Sequence, residues 1–372
     1  MAHSLVLIDM TTRSRVLYIA GQLGGGGLER QLGYLLKAMD RDRLRPKVAV
    51  WNYNEHDVNV KRIKALGAEL IPVPRSGSRL ARLLWLRRTA AELAPEVVHS
   101  YSFFTNVAAQ FAGVGATTMG SVRADFVRDR VSTGAILGRT CARWPRSQVC
   151  NSLAAVTAIS RSRSFFRPHQ VFLVRNALDL AQFPVREIPR TGPPLILGIG
   201  SLVRFKRWDR LIQLGLALSN LKIRVRIRIA GEGPERPGLQ SLIMRLHLQD
   251  IVDLAGYQDG IPEMLAAASL VVHTSESEGY PNVIMEAMAC GRPVVATNSG
   301  DSSDLIEQGL TGYVVAIGDD DALTQRVAEL VTNPSLVREM GTAARQRAEL
   351  MFRPERLVHE TLDAYRSLGW KG

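Results

Sequence analysis

The chain has only three cysteines in 372 residues, Cys141, Cys150 and Cys290. Their number is odd and their spacing fits no metal-ligand set, which argues against a disulfide scaffold or a zinc module and for a reduced, cytoplasmic protein. No apolar run approaches the ~20 residues that a membrane-spanning helix needs. The N-terminal stretch MAHSLVLIDMTTRSR holds a short apolar patch broken by Asp9, without the basic start and long apolar core of a signal peptide. Nucleotide loops of the familiar kinds are also missing. In Gly24–Gly27, the nearest approach to G-x-G-x-x-G, Glu29 or Arg30 stands where the third glycine belongs, so hydride transfer is disfavoured. No G-x-x-x-x-G-K-[ST] run supports a P-loop phosphotransferase. No His/Asp cluster stands out as a metal site, and no repeat or low-complexity segment interrupts the chain. What is present is an ordinary globular composition, 46% hydrophobic, long enough for two or three domains with cores of their own.

Acidic charge is scarce in one half. The formal net charge is +12, with +15 through Arg190 and −3 beyond it. A basic half attracts anionic partners. Nucleic acid is not expected, because no aromatic platform or reader motif is interleaved with the charge. The stretch from Arg75 to Arg88 sets Arg79, Arg82, Arg87 and Arg88 around Leu80, Leu83, Leu84, Trp85 and Leu86. Two readings stand. It is a helix that packs its leucines and Trp85 on its own sheet, or one that lies on an anionic membrane.

Strand and helix patterns alternate. RVLYIA at 15–20 reads as a strand, followed by a glycine loop and a helix from about Leu28 to Met39. Val48–Trp51, Glu69–Val73, Val97–Ser100 and Gln148–Asn151 are further strand candidates, and a second set begins at Leu195–Gly200. Arg224–Arg228 reads as a half-exposed strand. Such alternation implies parallel sheets with helices on both faces. The Pro- and Gly-containing stretch 188–194 is the best linker.

The densest constellation is Glu278-Gly-Tyr-Pro-Asn-Val-Ile-Met-Glu286, after the buried-strand run Leu270-Val271-Val272. Pro281 suits the first helical position and Gly291 ends the helix. A helix start favours anions and polar oxygens, because its first N–H groups lack intrahelical partners. At ~1.5 Å per helical residue the two acids stand roughly 12 Å apart. That exceeds the about 5 to 9.5 Å of paired acids serving one glycosidic bond. They look like two anchors along one extended ligand. A helix cap at Glu278 and a solvated or ion-paired Glu286 is the plain alternative.

This segment, SESEGYPNVIMEAMACGRPVVATNSGDSSDLIEQGLTGYVV, resembles the nucleotide-binding region of retaining GT-B glycosyltransferases of family 4, the glycosyl transferases group 1. The resemblance continues in GGLER at 26–30, VVHS at 97–100, VRNALDLAQF at 174–183, GIGSLVRFKRWDRLI at 198–212, IAGEGP at 229–234 and AGYQDGIPEMLAAASLVVHTSESEG at 255–279. It implies an α/β GT-B fold of two facing, doubly wound Rossmann-like domains with an interdomain cleft. The domains would span 14–188 on the acceptor side and 194–353 on the nucleotide-sugar side, with 354–372 forming a last helix that crosses back.

The resemblance also implies roles. Glu278 and Lys206 would be catalytic, Lys206 neutralising the departing diphosphate. Glu286 would hold the ribose hydroxyls, and Gly279, Tyr280, Pro281, Asn282 and Val283 the sugar and diphosphate. Gly26 and Gly27 would let their loop approach the donor. Ser201 stands where the family often has arginine, so Arg204 or Arg207 would supply that charge. Tyr101 takes the second place of a common His-x-His, which makes His99 and Tyr101 candidate sugar or acceptor contacts. Asn176 and Asp179 match an N-G-x-D turn with Ala177 at the glycine. The expected reaction is retaining transfer from a UDP- or GDP-sugar to a saccharide or lipid-linked saccharide in cell-surface polysaccharide or glycolipid synthesis. No metal or other cofactor is expected. The protein would be cytoplasmic, or peripheral on the cytoplasmic membrane face. A nucleotide-sugar epimerase and a non-catalytic sugar-binding protein remain as alternatives.

Overall fold

A computed structural model describes residues 15–189 and 191–372; the apolar N-terminal patch and Arg190 of the expected linker lie outside the described residues. The chain forms two compact units. One comprises Met1–Ala177 and Pro354–Gly372, the other Leu178–Arg353.

The first unit contains a parallel sheet of seven strands among the described residues: β1 Val16–Ala20, β2 Lys47–Val50, β3 Glu69–Pro72, β4 Val97–Ser100, β5 Thr117–Val122, β6 Ser147–Cys150 and β7 Gln170–Leu173, ordered β3-β2-β1-β4-β5-β6-β7. The second unit repeats the plan with β8 Leu195–Ile199, β9 Arg226–Ala230, β10 Val252–Gly256, β11 Leu270–His273, β12 Val294–Thr297 and β13 Gly312–Val315, ordered β10-β9-β8-β11-β12-β13. In each sheet the winding reverses beside the first strand, between β1 and β4 and between β8 and β11. Chains leaving these strands at their carboxyl ends diverge to opposite sides and leave a crevice. Central strands covered on both faces carry apolar runs. β1, β11 and β12 are buried throughout.

In the first unit two strands escape the sequence pattern, and β10, β12 and β13 of the second were not singled out either. β5 (TTMGSV) mixes Thr, Gly and Ser with two apolar residues, and β7 (QVFL) is short and only half-buried. The arginine-rich strand starts later than Arg224. In β9, Ile227, Ile229 and Ala230 face the core while Arg226 is exposed and Arg228 pairs with Asp253 at 2.9 Å.

The units divide upstream of the proline-rich stretch 188–194. The segment after Leu178 is tied into the second unit by hydrogen bonds. Leu178 N–H donates to the Phe352 carbonyl (2.7 Å), and the Arg345 and Arg292 guanidiniums donate to the Phe183 and Arg186 carbonyls at 2.9 and 2.8 Å. The helix Pro354–Arg366 belongs to the first unit. There Arg356 donates to the Asn176 carbonyl (2.7 Å), and the Glu360 carboxylate accepts from Arg175 N–H (3.1 Å).

The basic stretch forms the helix Arg79–Leu93, capped by Ser78, whose hydroxyl accepts from Ala81 N–H. Leu86 and Ala90 are buried, and Leu83 and Trp85 pack on the core. Leu80 and Leu84 remain 61% and 43% exposed. Arg82 stacks on Trp51 at 4.2 Å and donates to its carbonyl, and Arg87 stacks on Phe111 at 5.3 Å. The packing reading holds for the face that carries Leu83, Trp85, Leu86 and Ala90, while Leu80 and Leu84 face solvent.

Candidate functional site

The second unit's crevice is built from two strand-to-helix loops. After β8 the chain runs through Gly200–Val203 and a single 3-10 turn, Arg204–Lys206, into the helix Trp208–Asn220. After β11 it runs through Thr274–Pro281 into the helix Asn282–Ala289. β8 and β11 are neighbours at the switch point, which brings residues far apart in sequence together. Lys206 Nζ donates to Glu278 Oε1 at 2.5 Å, with side chains only 15% and 13% exposed. The loops are also joined through their backbones. Glu276 N–H donates to the Phe205 carbonyl (2.8 Å), and the Thr274 hydroxyl donates to the Lys206 carbonyl (2.8 Å).

His273, the last residue of β11 and 1% exposed, places Nε2 3.2 Å from the same Glu278 oxygen and 3.2 Å from the Ser275 hydroxyl. Burial alone would raise the Glu278 pKa. The Lys206 charge and the His273 hydrogen bond override it and hold this carboxyl well below the usual range. Burial lowers the His273 pKa, with Glu278 opposing, so the imidazole is neutral at pH 7. The site is a desolvated carboxylate fixed by one cation and one neutral donor. Nothing in the sequence marks His273, which looks like a strand terminus until its partner is known.

The Glu278 loop is buttressed from β12. Thr297 donates to the Ser275 carbonyl at 2.5 Å. Gly300, at φ +56°, lies against the Glu278–Gly279 backbone. A Cβ there would meet the Glu278 carbonyl carbon and oxygen at 2.9 Å and the Gly279 oxygen closer still. Asp301 N–H donates to that Gly279 oxygen (3.0 Å). Gly300 was not singled out in the sequence, because only the close approach of another loop excludes a side chain. Gly233 likewise presses on Leu202, where a Cβ would stand 2.7 Å from the carbonyl carbon, so the IAGEGP turn shapes the Lys206 loop.

Gly279, Tyr280, Pro281 and Val283 are buried, Asn282 partly so, and Glu286 is 2% exposed. Pro281 stands at the cap rather than at the first helical position. The helix therefore begins only at Asn282, and the roughly 12 Å helical path between the acids does not apply, because its first half is loop. Ser201 and Arg204 are exposed beside Lys206. Arg207 is committed elsewhere. It adopts a left-handed φ of 52° and pairs with Asp209 (2.9 Å) and Glu276.

The remaining candidates lie in the first unit. Gly26 caps the helix Gly27–Ala38, and its loop is braced where Asn59 donates to the Gly24 carbonyl (2.5 Å) and Leu23 N–H donates to Asp57 (3.2 Å). His99 and Tyr101 are both 0% exposed. The His99 ring nitrogens lie 2.6 Å from the Tyr365 hydroxyl and 3.1 Å from the Ser121 hydroxyl, which occupies both. Burial, then the nearby Arg123 charge, drives its pKa well down. As folded, His99 offers no free nitrogen to a ligand, and its place is structural. The Asn176 turn is structural as well. Ala177 donates to and accepts from the Gln31 side chain, both at 2.8 Å.

Among the described residues no group of three or more His, Cys, Asp or Glu is arranged to hold a metal ion. The acidic run Asp319–Asp321 serves the fold: Asp319 caps a helix at Ala322 N–H (2.9 Å), and Asp320 pairs with Arg210 at 2.9 Å. Burial pushes Cys141, Cys150 and Cys290 up to about 11, 12 and 11, so none is a thiolate nucleophile at neutral pH. No helix among the described residues is long and apolar enough to cross a membrane.

The loops carrying Lys206 and Glu278 fall inside a stretch, residues 182–347, that matches the family described as glycosyl transferases group 1. The match covers a little under half of the chain. Among curated relatives, N-acetyl-alpha-D-glucosaminyl L-malate synthase of Bacillus anthracis is 31% identical over 45% of this chain and 43% of its own length. A putative colanic acid biosynthesis glycosyltransferase, WcaL of Salmonella typhimurium, is 30% identical over 44% and 42%. The chain thus spans less than half the length of these relatives. Anabaena HepE, crystallised with UDP-glucose, superposes at a TM-score of 0.80 with 19% identity, over 95% of this chain and 99% of that one. At that identity the likeness concerns the fold, which is that of the GT-B glycosyltransferases.

Proposed function

We propose that this protein is a retaining glycosyltransferase that takes a UDP- or GDP-activated sugar as donor and a saccharide or lipid-linked saccharide as acceptor, in cell-surface polysaccharide or glycolipid synthesis. The observation that carries the reading is the Lys206–Glu278 pair, 2.5 Å apart at the switch point of the second unit, which carries the glycosyl transferases group 1 match. A donor diphosphate offers Lys206 a second anion, and its charge grows as the sugar–phosphate bond breaks. A fixed ammonium in a desolvated site stabilises that growth more than it stabilises the bound donor. Glu278 holds Lys206 in place before the donor arrives, and afterwards presents its carboxylate to the sugar hydroxyls. Gly279 to Val283 lead into a helix start that favours the diphosphate, and Glu286 is the acceptor for the ribose hydroxyls. Ser201 and Arg204 complete the donor contacts of this unit.

In the front-face reaction the acceptor oxygen bonds to the anomeric carbon on the side from which the diphosphate leaves, and the acceptor proton passes to a departing phosphate oxygen. The chain's own groups serve this step without a metal or other cofactor. The protein works in the cytoplasm. The exposed Leu80 and Leu84, beside Arg79 and Arg88, favour attachment of the first unit to an anionic membrane.

Calorimetric titration with UDP-, GDP- and ADP-sugars tests the donor, and the anomeric configuration of the product, read by NMR with saccharide acceptors, tests retention. One nucleotide sugar should bind, stay largely intact alone, and be consumed with an acceptor. Conversion of the donor's sugar without acceptor would make the protein an epimerase. Binding without turnover on any acceptor would make it a sugar-binding protein.

A further inference from the structure

Arg123 follows β5 directly, at the carboxyl end of the first unit's sheet, and is 9% exposed. All three guanidinium nitrogens are buried without a hydrogen-bond partner. No carboxylate pairs with it among the described residues. The Tyr101 ring lies 4.4 Å from the guanidinium carbon, and its buried hydroxyl also lacks a partner. Asn151, just past β6, donates to the Arg123 carbonyl (3.0 Å) and leaves its own amide oxygen unpartnered. These residues sit at the carboxyl ends of adjacent strands β4, β5 and β6, where doubly wound sheets bind ligands.

Arginine is almost never fully buried unless paired, because a desolvated cation without a counter-charge is costly. Stacking on Tyr101 occupies the face of the guanidinium and leaves its edge, with five N–H donors, unspent. That edge matches a carboxylate or phosphate in a bidentate fork. The Tyr101 hydroxyl is a second donor of fitting sign.

We infer that Arg123 and Tyr101 form an oxyanion site that recognises a carboxylate or phosphate group on the acceptor. The inference rests on the glycosyltransferase reading and deepens it: the acceptor is an acidic or phosphorylated saccharide. Binding requires the long Arg123 side chain to turn its edge toward the anion, and the cation–π contact it gives up is weaker than a charge-assisted fork.

The test uses the whole chain, its Arg123→Gln and Tyr101→Phe variants, and three probes: glucose, glucuronate and glucose 1-phosphate. The wild type should bind one anionic probe at least about tenfold more tightly than glucose. Preference for glucuronate names a uronic acid acceptor, and preference for glucose 1-phosphate a phosphorylated one. R123Q should lose the discrimination, and Y101F should weaken it severalfold. Melting temperature supplies a readout that a structural arginine would move the other way. An uncompensated buried cation leaves R123Q as stable as the wild type or more so, whereas an arginine kept for packing leaves it less stable. Equal binding of all three probes by the wild type, or unchanged discrimination in a folded R123Q, overturns the inference. Titration with UDP-glucose and GDP-glucose separates it from the donor reading. Their binding should be equal in wild type and R123Q, and a wild type that binds no nucleotide sugar refutes the donor reading whatever the anion probes show.

Discussion

Replacing Glu278 with glutamine tests the centre of the site. The change keeps shape and removes one charge from a pair 2.5 Å apart whose members are 15% and 13% exposed. At an effective dielectric constant of 20, two unit charges 4 Å apart attract by about 4 kcal/mol. Part of this is offset by the cost of desolvating both groups, while removing one partner strands the other, which for fully buried pairs costs about 3 to 5 kcal/mol. Here the glutamine oxygen can still accept from Lys206 and His273, so a loss of about 2 to 3 kcal/mol is expected. In a unit of this size that is roughly 4 to 12 °C of melting temperature.

Lys206→Met should destabilise comparably. The double variant should recover part of the sum, because the two changes remove one shared interaction. The pH dependence has a definite sign. Glu278 is held below its unfolded pKa, so its contribution is fully present above the ordinary carboxylate range and is lost only as pH falls through its depressed value. The gap between wild type and E278Q should therefore be flat from about pH 5.5 to 8 and close only in strong acid. Thermal unfolding at several pH values, with donor titration on the same samples, measures all of this. An E278Q variant with unchanged melting temperature and unchanged nucleotide-sugar affinity would falsify the assignment of the pair.

Three further outcomes are expected. Gly300→Ala must force a Cβ against the Glu278 carbonyl from a left-handed backbone, so it should cost about 1 to 3 kcal/mol and lower turnover through a displaced Glu278; a variant with normal melting and turnover refutes the buttress. Asp129 is pushed up to about 6 by burial, so its folded carboxyl holds a proton that the unfolded chain has lost, and it destabilises the protein increasingly as pH rises from about 4 to 6. Asp129→Asn should accordingly raise the melting temperature at pH 8 more than at pH 4.5, and equal effects at both would contradict this. On the membrane question, Arg79→Gln with Arg88→Gln spares Arg82 and Arg87, which stack on Trp51 and Phe111 and would confound a broader variant. Co-sedimentation with phosphatidylserine vesicles at low salt should fall by about fivefold per arginine; wild type that ignores such vesicles leaves this helix as ordinary packing.

The sequence by itself determined the local elements and the chemistry they carry. Apolar runs fixed β1, β4, β8 and β11, because a strand covered on both faces tolerates little else. Pro281 and Gly291 punctuated the helix that bears Glu286. The basic first half was countable directly. β5 and β7 were not legible, since TTMGSV and QVFL owe their strands to neighbours that supply hydrogen bonds, not to a periodic apolar face.

Tertiary structure alone decided which groups meet. Lys206 and Glu278, 72 residues apart in sequence, became a pair because β8 and β11 are neighbours where the winding reverses. His273 gained meaning only from its distance to that carboxylate. Gly300 became indispensable through a backbone it does not adjoin in sequence, and His99 lost its candidacy when Tyr365, from the last helix, took its Nδ1. Arg123 is one arginine among many in the sequence; burial without a counter-charge is what sets it apart. Periodicity reports what one segment does with its own faces, whereas pairing, desolvation and close approach depend on segments that the fold brings from elsewhere.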